Sequence, residues 1–395
     1  MFYVGIDIAK YKHEATIIDS HGKALFDSIS FSNTKEGCDK LLSLFEKAGA
    51  DLDALVIGME ATGHYWLSVY AFLAELGYDV KVINPIQSEA FRKMYIRQTK
   101  NDSKDSFIIA QVMRFGQYSS TALSEENMVA LRQLSRYRLA LVDSCGDCKR
   151  RVIALLDQVF PEYDRLFSDT FGVTSKEILL KYPTPEDMLT LSTRKLTSLL
   201  SKSSRGHFGE EKAKQLKSVA ANSFGVSFAK DAFSFQIKQL MEQIVFLENQ
   251  IKALEKEISV LLHQANTAIT TIPGIGDVLG AIILSEIGDI NRFDTPSKLV
   301  AFAGLDVKVS QSGEFVGTKN KISKRGSPYL RRAIWLAATR AAFCDPILSE
   351  YYQSLKSRGK HHLTAVGGVA RKLCNIIFII LKENRPYQKL PPAKV

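Results

Sequence analysis

Apolar and polar positions alternate in short runs over roughly the first 120 residues of this chain, then settle into long helical periods. Apolar runs at 2–9, 14–19, 24–31, 54–59 and 79–84 predict strands, and the segments between and after them predict helices over 34–48, 64–76, 86–96 and 102–115. The first three strands follow each other closely, with His21-Gly22 as a turn, which predicts an antiparallel meander. Helices separate the later strands, so those are expected to run parallel. Residues 121–262 read as mostly helical, with a helical period and many basic residues over 129–158. Pro161, Pro183 and Pro185 interrupt the segment from 161 to 230, which supports no functional reading. Ile237, Ile244, Ile251 and Ile258 then fall on one heptad position, and Leu240, Leu247, Leu254 and Leu261 on the other. Isoleucine and leucine in this arrangement predict a coiled coil over 233–262 that favours two parallel strands. The alternative is pairing within the chain, against the 129–158 helix. A mainly helical segment over 267–385 completes three expected domains, 1–120, 121–262 and 267–385.

Length and charge narrow the class. A chain of 395 residues can bury two or three cores. Its net charge of +10 suits a polyanionic partner. The N-terminus enters a strand without a basic leader, and the apolar run at 375–381 is too short to span a membrane, so it is expected as a buried helix. Five cysteines, an odd number, suit a reducing compartment, and the expected location is the cytoplasm with no membrane partner. Cys145 and Cys148 form a lone C-x-x-C without the second pair that a zinc site needs.

Four acids carry the first candidate chemistry. Asp7 lies in the first predicted strand, Glu60 ends the fourth, and Asp102 and Asp105 open a predicted helix three residues apart, on one face. Each alone is an ordinary strand-end or helix-start acid. Together, in strand, strand, helix order, they can converge on Mg²⁺ or Mn²⁺, since hard cations take oxygen ligands and can activate phosphoryl transfer. A three-strand meander followed by alternating helices and strands is also the layout of a ribonuclease H-like fold.

The second candidate lies near the C-terminus. Pro273-Gly274-Ile275-Gly276 precedes an apolar helix and is similar to a helix-hairpin-helix, in which Gly274 and Gly276 would let backbone N–H groups approach a phosphate. The plain reading is a turn between packed helices. From Lys319 to Arg332 there are six basic residues and no acid: Lys319, Lys321, Lys324, Arg325, Arg331 and Arg332. Charge and backbone donors in such a loop can hold a phosphodiester. Ser312 precedes Gly313, where little bulk would obstruct a substrate, and basic neighbours could stabilise the phosphate it attacks. Ser310 and Ser323 are the nearby alternatives.

Gly5-Ile6-Asp7-Ile8-Ala9-Lys10, Glu60-Ala61-Thr62-Gly63-His64-Tyr65-Trp66 and Thr99-Lys100-Asn101-Asp102-Ser103-Lys104-Asp105 resemble the three acidic motifs of the DEDD transposases of bacterial insertion sequences. Ile272-Pro273-Gly274-Ile275-Gly276, Ala303-Gly304-Leu305, Gln311-Ser312-Gly313 and Ile322-Ser323-Lys324-Arg325-Gly326 resemble that family's C-terminal transposase signature. The resemblance implies an α/β, RuvC-like N-terminal domain. Asp7, Glu60, Asp102 and Asp105 would hold Mg²⁺, and Ser312 would form a covalent link to DNA. It also implies donor and target DNA as substrates, a structured bridge RNA as guide, and a homodimer or tetramer joined through the coiled coil. The competing readings are a RuvC-like nuclease that hydrolyses branched DNA, and a non-enzymatic DNA-bridging protein. An actin-like ATPase would need glycine soon after Asp7, where Ile8-Ala9-Lys10 stand.

Overall fold

The computed structural model describes residues 1–60, 63–83, 85–94, 102–116, 118, 126–307, 311–312, 315–316 and 321–388. The chain divides into two compact units, Met1–Leu123 and Ser124–Val395.

In the first unit, β1 (Phe2–Asp7), β2 (Lys12–Ile18) and β3 (Ile29–Ser32) form the expected antiparallel meander. The turn after β2 closes on Asp19, whose carboxylate accepts from the N–H groups of His21 and Lys23, with Gly22 at φ +84°. β3 begins later than the apolar run suggested: beyond Leu25, whose N–H donates to the Ile17 carbonyl at 3.0 Å, the chain leaves the ladder, and Ser28 instead donates to the Glu14 carboxylate at 2.6 Å. Helix α1 (Lys35–Lys47), capped by Thr34, leads to β4 (Leu55–Glu60); then come α2 (Trp66–Glu75), β5 (Asp79–Ile83), α3 (Pro85–Arg92) and α4 (Asp102–Phe115). The sheet order is β3-β2-β1-β4-β5, with β1, β4 and β5 parallel.

Successive strand side chains alternate between the two sheet faces, and this parity positions the acids. Val4, Ile6, Ile57 and Met59 join α1 and α2 in one core. The alternate positions face α4, where Tyr3 and Val56 pack on Ile109, Val112 and Met113. Between these lie Gly5 and Gly58, paired in register on β1 and β4. A Cβ on Gly5 would stand 2.0 Å from the Ser106 carbonyl oxygen and 2.3 Å from the Ala110 nitrogen, so α4 sits directly on the β1 backbone. Thr16 and Ser106 share a buried hydroxyl hydrogen bond of 2.7 Å, and Gln111 donates to the Gly22 carbonyl at 2.9 Å. Both bonds fix α4 along β2.

The second unit is built on two long helices, α5 (Glu126–Val159) and, after four short ones, α10 (Lys230–Gln264). The short helices are α6 (Val173–Leu179), α7 (Pro185–Leu189), α8 (Thr193–Ser203) and α9 (Glu210–Ala221). They cover one end of the α5–α10 pair, where Ile237, Leu240 and Ile244 join Tyr163, Ile178, Met188, Leu200 and Leu216 in a core. The heptad stripe therefore packs within its own chain over this stretch. Ile258 is buried in a second core, while Leu247, Ile251 and Leu254 between the two are only half-buried. The basic run of the 129–158 segment serves the same scaffold: Arg138 pairs with Glu255, and Lys149 with Glu248.

The second core gathers α11 (Asp277–Ile287), α12 (Pro296–Phe302), α13 (Pro328–Cys344), α14 (Pro346–Ser357) and α15 (His362–Glu383), with the antiparallel pair β6 (Gln311–Ser312) and β7 (Phe315–Val316) preceding α13. Leu131 and Leu139 of α5 belong to it, so α5 and α10 thread both cores, and the boundary expected between 262 and 267 falls inside this unit. Ala333, Ala337, Ala338, Ala341 and Ala342 are fully buried or nearly so, and such small side chains let neighbouring backbones come close. By length and composition α15 is apolar enough to cross a membrane, but Val369, Leu373, Ile377 and Ile380 pack into this core. All five cysteines are free thiols.

Candidate active site and nucleic-acid surface

Asp7 and Glu60 end neighbouring parallel strands, one residue beyond the Ile6–Met59 pair, on the face that α4 covers. The first turn of α4 brings Asp102 and Asp105 to the same place. Their position also suits the helix, because its N-terminus carries positive partial charge. All four acids line one cleft of about 820 Å³, together with Ser88, Glu89, Arg92 and Lys93 of α3 and the residue after it.

The cleft's electrostatics are those of crowded like charges. Burial pushes the Asp7 carboxyl up to about 7, and the negative charges of Asp105, Glu60 and Asp102 push in the same direction. Arg92 opposes them. Its guanidinium lies 2.9 Å from Asp105 Oδ1 and 3.4 Å from Glu89 Oε2. Among the described residues, no three acidic, histidine or cysteine side chains stand close enough to hold one ion as they are. The donor set nevertheless fits a hard divalent cation: four carboxylates carried on a rigid frame of two strand ends and one helix turn.

In the second unit the Pro273–Gly276 hairpin leads into α11. Gly274, at φ +89°, is needed for packing: a Cβ there would lie 2.8 Å from the Ala337 carbonyl oxygen and 3.0 Å from the Ala341 nitrogen. At Gly274 the hairpin is thus the turn between packed helices. Gly276 is exposed, with open space where a Cβ would go. The segment before α13 is pinned by its backbone. Ser323 N–H donates to Asp306 at 2.8 Å, Lys324 N–H to Gly304 at 3.1 Å, and Ser327 N–H to Phe302 at 3.2 Å. Gly326 is at φ +89°, and a Cβ on it would meet the Phe302 carbonyl oxygen at 2.0 Å. This frame holds Lys324 at φ +55° and leaves Lys321, Lys324 and Arg325 exposed.

The other basic residues are engaged within the unit. Arg331 donates to the Ala303 carbonyl at 3.4 Å, and Arg332 makes a two-pronged pair with Asp143 at 2.7 and 2.8 Å. The Ser323 hydroxyl donates to Asp306. Ser312 ends β6, paired through its backbone with Phe315. Lys319 and Ser310 lie outside the described residues.

Two transposase family models match the chain, one described as "Transposase", of the IS110 DEDD type, over residues 4–161, and one as "Transposase IS116/IS110/IS902 family" over 266–353. The chain belongs to this transposase family. It is similar along its full length to an insertion element IS110 protein of 43.6 kDa from Streptomyces coelicolor, at 23% identity over 100% of this chain and 97% of that protein. A pilin gene-inverting protein of Moraxella bovis is 24% identical over 98% of both chains. A mini-circle putative transposase for IS117, again from Streptomyces coelicolor, is 26% identical over 92% of this chain and 89% of that protein. The chain is accordingly a DNA recombination enzyme, and its family type implies a divalent metal.

Sequence reading of the transposase missed the contribution of α3. Ser88 is buried, donates to a Glu60 oxygen and to the Pro85 carbonyl at 3.0 Å, and so orients the carboxylate. Arg92 lies four residues further along the same helix face. The available signal was the polar spacing Ser88, Glu89, Arg92 in a helix directly following the strand beside Glu60.

Proposed function

We propose that this transposase cuts and rejoins DNA strands through a covalent serine–DNA intermediate, with Asp7, Glu60, Asp102 and Asp105 holding Mg²⁺ or Mn²⁺. The observation that carries this reading is the convergence of the four carboxylates on one cleft in a chain of this family. The strand order and the parallel β1–β4–β5 set support a ribonuclease H-like, RuvC-like frame for that cleft. When bound, a divalent ion supplies charge stabilisation to the phosphate and the leaving oxygen. Ser88 keeps Glu60 in place, and α4 carries Asp102 and Asp105 on the rigid seat made by Gly5.

Ser312 is the nucleophile in this proposal, on the strength of the Gln311-Ser312-Gly313 motif. Its Oγ–P bond replaces the P–O bond to the departing sugar oxygen. The number of phosphoester bonds is conserved, so the strand can be rejoined without a nucleotide cofactor. Exposed Lys321, Lys324 and Arg325 hold the backbone of the nucleic acid. The choice of donor and target DNA falls to base pairing with a structured guide RNA, a division of labour that leaves the protein to read shape and charge. Where α10 joins two copies of the chain, its half-buried centre at Leu247, Ile251 and Leu254 is the available surface, because the two ends of the stripe are covered.

The test is Ser312→Ala. The variant should lose the SDS-resistant protein–DNA adduct while still binding DNA. A wild-type chain that cuts DNA yet leaves no such adduct would move the assignment to hydrolysis of branched DNA.

A further inference from the structure

We propose that Arg92 is a built-in counter-cation of the acid cleft, competing with the divalent ion for Asp105 and so setting how tightly the cleft takes metal. The inference rests on the reading of the cleft as a metal site. Arg92 closes α3, and its side chain is 15% exposed, against 11% for Asp105. Ion pairs screened this little keep most of their strength. The guanidinium divides itself between Asp105 at 2.9 Å and Glu89 at 3.4 Å, and its buried Nε makes no hydrogen bond among the described residues. Arg92 thus stands as a little-exposed cation on the wall of a cleft lined by four acids, with Asp105 as its nearer carboxylate.

Two consequences follow from arginine chemistry. The guanidinium lies against Asp105 as a cation, so a metal ion takes that carboxylate oxygen only by displacing it. Once displaced it remains tethered to the cleft wall, and its planar fork matches a phosphodiester in two-pronged fashion. Metal entry thus converts an internal partner of Asp105 into a cation available to the DNA backbone. Without metal, the same residue lowers the repulsion among the acids and holds the site together.

Mn²⁺ binding to the full chain without DNA, followed by electron paramagnetic resonance, tests this directly. Arg92→Gln should bind Mn²⁺ roughly tenfold more tightly, the usual scale of removing an opposite charge from a carboxylate. Lys93→Gln removes a positive charge from the same cleft and should change binding no more than about twofold, since an exposed charge acts weakly through solvent. Arg92→Lys, which keeps the charge and loses the fork, should tighten binding by about threefold and guards against a glutamine variant that fails to fold. In EDTA the midpoint of thermal unfolding should fall for Arg92→Gln, and saturating Mn²⁺ should bring it back to wild type. Unchanged or weaker Mn²⁺ binding in both Arg92 variants overturns the proposal, as does an equal gain in Lys93→Gln or a stability loss that Mn²⁺ does not repair. If wild type binds no Mn²⁺, or Asp7→Asn leaves its binding intact, the metal-site reading itself has failed and this inference falls with it.

Discussion

The acid cleft of the first unit and the arginine-rich framework of the second treat charge in opposite ways. Around the cleft, burial and the charges of Asp105, Glu60 and Asp102 together push Asp7 up to about 7, with Arg92 opposing them. In the second unit Asp143, Glu255 and Glu286 answer Arg332, Arg138 and Arg136 respectively. Arg136 grips Glu286 at 2.6 and 3.0 Å, Ser327 adds a hydroxyl donor at 2.7 Å, and the arginine lies over the Tyr329 ring. The difference separates two uses of charge. Paired charges hold helices together, whereas a cluster of one sign left together at a strand-end cleft costs stability and is kept for chemistry. Asp7 belongs to the second kind, Glu286 to the first, although both are acids on regular elements.

Substitutions at these two acids should therefore move activity and stability in contrasting ways. Asp7→Asn should reduce strand cleavage by about 10³-fold or more, a size usual for removing one member of a catalytic set that acts as a unit. The same change should stabilise the metal-free protein at pH 8. Asp7 has its carboxyl raised in the folded state, so its charged form opposes folding once the pH passes the ordinary carboxylate range, and the penalty is complete above about 7. Partial exposure screens part of this. The gain should be about 1 kcal/mol, or roughly 4 °C in the unfolding midpoint, and should vanish as the pH falls towards 4. Calorimetry in EDTA across that pH range checks both sign and window; a destabilised variant at pH 8 would mean that the repulsion is not there.

Glu286→Gln should do the reverse. The carboxylate is 5% exposed and joins α5, α11 and the start of α13. Loss of a buried partner costs about 3–5 kcal/mol, and Arg136, which is itself half-exposed, can recover some hydration, so about 3 kcal/mol is expected. Urea unfolding followed by circular dichroism measures it. Mn²⁺ binding should be unaffected.

The legibility of the sequence follows the same division. The strand parity that sets Asp7 and Glu60 side by side is written in period two, and the helix that carries Asp102 and Asp105 is written in spacing. Arg92 and Ser88 were harder to see because their importance depends on α3 packing beside α4 and meeting the end of β4 at Glu60, a tertiary fact. The heptad stripe showed that α10 buries one face, but heptads do not name the partner; much of the stripe is covered by α5 and the small helices of the same chain. Of those small helices, α6 and α7 are too short to show a period, and prolines interrupt the segment that holds them. Their signals are at the ends: Thr184 and Asp187 form a reciprocal cap around Pro185, and Ser192 caps α8. In the run from Lys319 to Arg332, charge was legible but its partners were not. Asp143 lies far from Arg332 in sequence, and no local pattern announces the pair.

That run supplies the smallest effects and the sharpest comparison within one segment. Lys324 and Arg325 are exposed on a backbone fixed by Gly304 and Gly326, whereas Arg331 and Arg332 are tied to Ala303 and Asp143. Each phosphate contact removed should lower the slope of log affinity against log salt by about one. Lys324→Ala and Arg325→Ala should each show that loss, and the double variant about twice it, with the folded stability unchanged. Arg332→Ala should leave the slope alone and cost at most about 1 kcal/mol of stability, since its pair with Asp143 stands partly in solvent. Filter binding across a salt series, paired with urea unfolding of each variant, separates the two groups. A salt slope that falls equally for Arg332 would mean that nucleic acid outcompetes Asp143, and that the paired framework, like Arg92 in the cleft, holds its arginines in waiting.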